Sequence, residues 1–330
     1  MGKRLDWIDQ ARGLSIFLVI YAHNFPVYEA YIYSFHVPLF FFISGMFHPK
    51  KVTTAVLKRR AKMILVPYFV WAFLLYFFWL FIGRKYGVSS EYDLSPLNNF
   101  IGIFYAQGGK SFMDWGIPIW FLPCIFMVFV YFSAIRKIKN ITFSNIVIIL
   151  GVLAGFFWSR LIGINLPWSL DVALVAMGFY AIGNLLKEGI INLSKNTALI
   201  IGILFLGINI LMFYFNTTKV DMYRSIYGEE VLFFISGLSG SLAVVLLFKS
   251  FPVFKFFSYL GKHTIVLLAT HLRALTVIKL VLLLITGVAV FEFTEIEKLL
   301  FAIVQVLILI PVIWLINKYI PILDGKVKKP

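Results

Sequence analysis

Residues 4–48 read RLDWIDQARGLSIFLVIYAHNFPVYEAYIYSFHVPLFFFISGMFH. The stretch is apolar enough to enter a lipid bilayer, yet it carries Asp9, Arg12, His23 and His36. Ionisable side chains are costly inside a membrane and concentrate where function needs them. In a helix, positions eleven residues apart are separated by three turns plus about 20°. Asp9, Arg12 and His23 therefore share one face. The rise from Arg12 to His23 is about 16 Å, roughly half of a ~30 Å hydrocarbon core. This spacing predicts a cation at the membrane edge with an imidazole near mid-membrane above it.

The rest of the chain has the same character. Of its 330 residues, 61% are hydrophobic and 14% charged. Serial apolar runs of about 20 residues exclude a soluble domain and predict an all-α integral membrane protein, a single transmembrane domain over residues 1–330. About ten spans are expected, at roughly 12–27, 33–48, 61–83, 117–135, 141–160, 168–187, 197–215, 228–249, 263–287 and 296–320. The segments between them alternate in charge. Lys50, Lys51, Lys58, Arg59, Arg60 and Lys62 fall on one side, with Arg136, Lys137, Lys139, Lys187, Lys195, Lys249, Lys255, Lys262 and the tail Lys326, Lys328 and Lys329. Glu29, Glu292, Glu295 and Glu297 fall on the other. The positive-inside rule then places both termini in the cytoplasm. It also accounts for the net charge of +15 without a nucleic-acid partner. The first apolar run lacks a small-x-small cleavage site and reads as an uncleaved span. The single cysteine, Cys124, excludes an intrachain disulfide and suits a buried small hydrophobe.

Some segments carry a finer expectation. The apolar part of the second span, residues 37–47, is short, and Pro38 suits its first helical turn. The 84–116 segment is the longest non-cytoplasmic loop and reads as functional or mobile. Gly151 and Gly155 form a small-xxx-small pair for helix packing. Asn216-Thr217-Thr218 fits a weak glycosylation motif.

Imidazole accepts a proton from a hydroxyl near neutral pH, which makes His23 a candidate base. A short outer turn joins spans one and two, so His23 and His36 are expected at similar depth, as a dyad, a proton relay or a metal site. Metal is the weakest of these, because zinc wants at least three protein ligands and no third carboxylate or cysteine ligand is evident nearby. Arg12, Arg59, Arg60 and Lys62 on the cytoplasmic side suit a phosphate-rich ligand. Lys262 and Arg273, eleven residues apart, repeat the first span's spacing, with His271 between them. His48 and His263 fall at span ends and read as interfacial. A polar ligand from the cytosol and a basic group in the outer half fit either two-substrate chemistry or a transport path.

The same residues resemble the opening of the acyltransferase-3 family, in its fucose O-acetylase-like branch of polysaccharide acetyltransferases. The resemblance lies in Arg4-Leu-Asp-Trp-Ile-Asp-Gln-Ala-Arg-Gly13, His23 and Ser34-Phe-His-Val-Pro-Leu-Phe-Phe-Phe-Ile-Ser-Gly45. Arg59-Arg-Ala-Lys-Met-Ile-Leu-Val-Pro-Tyr68, Trp120-Phe-Leu-Pro123 and Tyr259-Leu-Gly-Lys-His-Thr-Ile with His271 extend it. The family's Arg-x10-His motif falls on Arg12 and His23, and its second-span histidine on His36. Its Arg-x-x-Arg motif falls on Arg59 and Lys62, where lysine keeps the charge but loses the bidentate fork. The chain is expected to lack the extra C-terminal hydrolase-like domain of some members.

The resemblance implies a multi-pass enzyme of the cell (inner or plasma) membrane. It would move an acetyl group from acetyl-CoA, as co-substrate, to a carbohydrate or lipid-linked glycan acceptor. His23 would serve as base or transient acyl carrier, with His36, Arg12 and Asp9 in support. Arg12, Arg59, Arg60, Lys62, His271 and Arg273 would hold the donor, and Trp120, Asp114 and Asn24 the acceptor; no metal is expected. The alternative is a transporter or flippase for a glycan precursor or anion, against which stands the lack of an internal repeat or of interrupted helices in matching halves.

Overall fold

The computed structural model describes residues 5–85, 92–287 and 292–326. Arg4, Lys328 and Lys329 lie outside the described residues. The helices, in order, are α1 (Asp6–Ala22), α2 (Glu29–Tyr33), α3 (His36–Met46), α4 (Thr54–Phe81), α5 (Pro96–Tyr105), α6 (Lys110–Met113) and α7 (Phe121–Ile135). They continue with α8 (Ile141–Leu161), α9 (Leu170–Asn192), α10 (Lys195–Phe215), α11 (Glu230–Ser250), α12 (Lys255–Gly261), α13 (Thr264–Thr286) and α14 (Glu295–Tyr319). No strand occurs among the described residues beyond an isolated bridge between Asp221 and Ile226. The protein is an all-α membrane protein.

Among the described residues, eight helices are long and apolar enough to cross a membrane. They coincide with the third to tenth expected spans. The first two are shorter. Helix α1 has 17 residues and stops at Ala22, five residues before the expected end, so His23 is its C-cap. Helix α3 has 11 residues, with Pro38 in its first turn. Helix α4 starts at Thr54, where the Thr53 hydroxyl accepts from the Val56 amide, so Lys58, Arg59, Arg60 and Lys62 are all helical. The 84–116 segment, described except for 86–91, is folded. Ser95 caps α5 with Pro96 at its first position, and α6 follows. Asn99 and the indoles described below anchor the segment.

The chain divides into two compact units. One comprises residues 1–40, 193–219 and 232–324. It is organised by α1, which runs antiparallel to α12 at backbone contact. A Cβ on Gly13 would collide with the Phe257 carbonyl, and one on Gly261 with the Asp9 carbonyl. Two glycines four residues from their partners' contacts thus let the helix backbones touch, as small residues do in membrane bundles. Helices α13 and α14 also pack on α1. The Ser15 hydroxyl donates to the His36 carbonyl at 2.7 Å, fixing the start of α3 against the middle of α1.

The other unit comprises residues 41–192, 220–231 and 325–330. There α3 and α9 repeat the device, Gly45 against the Tyr180 backbone and Gly183 against that of Phe42. Gly151 and Gly155 of α8 face Met177, Leu174 and Val175 of α9. Cys124 is buried near the Ser169 carbonyl.

Candidate functional site

A polar cluster gathers at the C-terminal end of α1. The His23 Nδ1 lies 2.7 Å from the Val19 carbonyl oxygen. The His36 Nδ1 lies 2.7 Å from the Ile32 carbonyl, and the His271 Nδ1 2.9 Å from the Leu267 carbonyl. A carbonyl only accepts, so in each neutral ring Nδ1 carries the hydrogen and Nε2 is left as a lone pair. Three imidazoles are thereby preset as bases by the carbonyl one helical turn before them.

His23 is half-buried, His36 and His271 buried. The partner of His23 is not the one the turn suggested. Its ring meets His271 edge to face, with centroids 4.9 Å apart. The His36 ring packs instead on Tyr33 at 5.0 Å. The Ser15 bond explains the difference. It sets the His36 backbone level with a residue eight positions before His23, about 12 Å down α1. Tyr33 in turn lies under the Lys219 ammonium, which pairs with Glu29 at 2.5 Å. Among the described residues no three His, Cys, Asp or Glu side chains are grouped so as to hold a metal ion.

Asn24, next to His23, is buried. Its Nδ2 donates to the Ile20 carbonyl at 2.9 Å, and its Oδ1 accepts from Gln305 Nε2 at 2.9 Å. Gln305 sits in the middle of α14 and is fully buried. Two buried atoms here have no hydrogen-bond partner in the protein, His271 Nε2 and Gln305 Oε1. Each such atom costs about 1–3 kcal/mol. The sequence reading missed Gln305, although a lone amide in the apolar run of α14 is itself a signal.

Arg12 is half-buried on α1, one turn beyond the buried Asp9. Lys262 and Arg273 do not share a helix face. Lys262 caps α12 and His263 begins α13, so the chain turns between them. The break follows from Gly261, whose contact with Asp9 fixes α12 in its own direction. Arg273 lies about 200° round α13 from His271, so the two point to different sides. His263 is not merely interfacial, because its Nδ1 donates to the buried Asp324 carboxylate at 2.6 Å.

In the second unit, Arg59 and Lys62 are exposed and three residues apart, hence on one face of α4. Arg60 is turned away from them, 5.6 Å over the Phe129 ring. His48 bonds the Tyr180 hydroxyl at 2.8 Å and packs on Phe132 at 4.8 Å. Burial, then the Arg60 and Arg136 charges, push the His48 imidazole down to about 4. Asp114 accepts from the Trp79 indole at 2.7 Å, and its amide donates to Asn99 at 3.0 Å. Trp120 is buried, with Tyr223 6.5 Å away and Gly108 against its Cβ. Asn216 is buried, which removes it as a glycosylation acceptor.

Eight membrane-length helices among the described residues, with the His23–His271 ring contact in the first unit, define a polytopic membrane protein with a polar site. The acyltransferase-3 family model, described as an acyltransferase domain, matches residues 5–318, nearly the whole chain, and the chain belongs to that family. It is a membrane acyltransferase, which favours the enzyme over the transporter. No curated protein and no solved structure matches the chain.

Proposed function

We propose that the protein is an O-acetyltransferase of the cell membrane, moving an acetyl group from cytosolic acetyl-CoA to a carbohydrate hydroxyl of a surface or lipid-linked glycan. The observation that carries this reading is the lone pair on His23 Nε2, set by the Val19 carbonyl on a ring that is only half-buried. The acceptor hydroxyl gives its proton to that nitrogen as its oxygen bonds to the thioester carbonyl carbon. The C–S bond then breaks, and the departing CoA sulfur takes the proton back. In the two-step variant His23 Nε2 first takes the acetyl group, releasing CoA, and the hydroxyl then displaces the imidazole.

Arg12 pairs with a phosphate of the donor, as guanidinium groups do, and in the second unit Arg59 and Lys62, exposed on one face of α4, carry the same phosphate-pairing chemistry. Arg273 supports the donor side. Asp9, one turn from Arg12, fixes its side chain. Neutral His36 has no N–H left for an oxyanion, since its Nδ1 hydrogen is held by Ile32.

Two measurements test the reading. Membranes holding the protein should release free CoA from acetyl-CoA when acceptor is present, and His23→Ala should abolish the release. Surface glycans of cells with and without the protein should differ by one acetyl per repeat in mass spectrometry. Unchanged CoA release by His23→Ala removes His23 as the base, and unchanged glycan mass removes the acceptor class.

A further inference from the structure

Two unpartnered atoms at the end of α1 have orientations that follow from their neighbours. The Ile20 carbonyl only accepts, so Asn24 must turn Nδ2 toward it. That leaves Asn24 Oδ1, also only an acceptor, facing Gln305, which must answer with Nε2. Gln305 Oε1 is what remains, fully buried and bonded to nothing in the protein. The same logic from the Leu267 carbonyl leaves His271 Nε2 as a fully buried bare lone pair. His271 touches His23, and Gln305 bonds Asn24, so the two acceptors flank consecutive residues of one helix end.

Both atoms are acceptors; the Nδ1 hydrogens of His23 and His271 are held by carbonyls, and Asn24 Nδ2 and Gln305 Nε2 each donate one hydrogen within the cluster. Gln10 Nε2 and Asn209 Oδ1 are also bare, but each is isolated from the ring pair in sequence and in its bonds. A ligand fits at the end of α1 only if it brings hydrogens to donate. A sugar carrying a second hydroxyl beside the reacting one does so, and a monohydroxy alcohol does not.

We propose that Gln305 Oε1 and His271 Nε2 line the acceptor subsite, Gln305 Oε1 accepting from the hydroxyl adjacent to the one that is acylated and His271 Nε2, against His23, lying beside the reacting one, so that the substrate is a vicinal diol of a sugar ring. This rests on the acetyltransferase reading above. A buried acceptor left bare by a deoxy substrate discriminates strongly. Sites built to bond a substrate hydroxyl reject its deoxy analogue by up to about 10⁴–10⁵.

The test uses the full-length protein in liposomes, with acetyl-CoA as donor and membranes from cells lacking the protein as the source of acceptor. Gln305→Met keeps the volume and removes the acceptor oxygen. It should raise the amount of acceptor membrane needed for half-maximal CoA release at least tenfold, with the KM for acetyl-CoA within twofold of wild type. That unchanged KM also reports a folded variant. A rise in the acetyl-CoA KM alone overturns the proposal, because the pantetheine amides would then be the donors to Oε1.

A second measurement needs no variant. With wild-type protein, trans-cyclohexane-1,2-diol should inhibit acceptor-dependent CoA release at a concentration at least tenfold below that of cyclohexanol. Equal inhibition, or none by either, overturns the diol subsite while leaving the transferase standing. Absence of any acceptor-dependent CoA release by wild type overturns the transferase reading itself, and the subsite with it.

Discussion

His23 and His271 meet edge to face across the α1–α13 contact, 4.9 Å between ring centroids, and each has its Nδ1 hydrogen tied to the carbonyl one turn earlier. The pair therefore has its protons on the outside and its lone pairs free. A ring without that lone pair tests what the pair does. His271→Phe preserves an aromatic body against His23 and removes an unpartnered acceptor. The melting temperature in detergent should stay the same or rise, because a buried bare nitrogen has gone. Acceptor-dependent CoA release should fall about 10²-fold, the scale of a lost proton-handling group. A fall in activity that tracks a fall in melting temperature would assign His271 to packing instead.

The α1–α12 crossing makes a prediction about stability alone. Gly261→Ala puts a methyl group into the Asp9 carbonyl, and Gly13→Ala puts one into that of Phe257. Neither obstacle is a flexible side chain, so the helices must separate. Overpacking of this kind costs about 1–3 kcal/mol or more. Gly189→Ala and Gly207→Ala meet nothing within 4 Å and serve as controls. Thermal melts in detergent should show large losses for the first two and none for the controls.

These glycines show what the sequence could reveal. Asp9, Arg12, His23 and His36 stood out because charge in an apolar run is conspicuous, and eight of the helices followed from apolar length alone. The partner of His23 did not. Pairing His23 with His36 assumed that the short outer turn sets their depths, whereas the Ser15–His36 bond sets one of them. His271 is more than 240 residues away in the chain, so only the packing of α13 on α1 brings it in. The Lys262–Arg273 spacing failed because helical arithmetic cannot see a break, and that break depends on a glycine contact across the unit.

Asp114 separates a loop anchor from a sugar ligand. Its carboxylate holds the Trp79 indole and its backbone amide holds Asn99, which also receives attention from Trp115, whose indole donates to the Asn99 carbonyl at 2.9 Å. Asp114→Asn keeps a carbonyl oxygen for Trp79, so the fold should lose about 1 kcal/mol or less, while Asp114→Ala strands a largely buried indole N–H at about 1–3 kcal/mol. Proteolysis within residues 92–116 should accelerate for the alanine variant and stay unchanged for the asparagine one. If both variants resist cleavage equally yet both lose acceptor-dependent turnover, Asp114 contacts the acceptor rather than the loop.

His48 gives the second unit an acid-labile contact whose sign can be worked out. In the unfolded chain an imidazole takes up a proton near 6.5. In the folded protein burial and the two neighbouring arginines hold it neutral down to about 4. Between these values the unfolded state binds more protons, so stability rises with pH across that window and is fully present above it. His48→Gln keeps a hydrogen-bonding group beside the Tyr180 hydroxyl but has no proton to gain. The difference in melting temperature between wild type and His48→Gln should be constant above pH 7. It should shift against wild type as the pH falls from about 6.5 toward about 4, and level off below. A difference that stays flat through that range would mean that the folded protein takes up a proton at His48 as readily as the unfolded chain does.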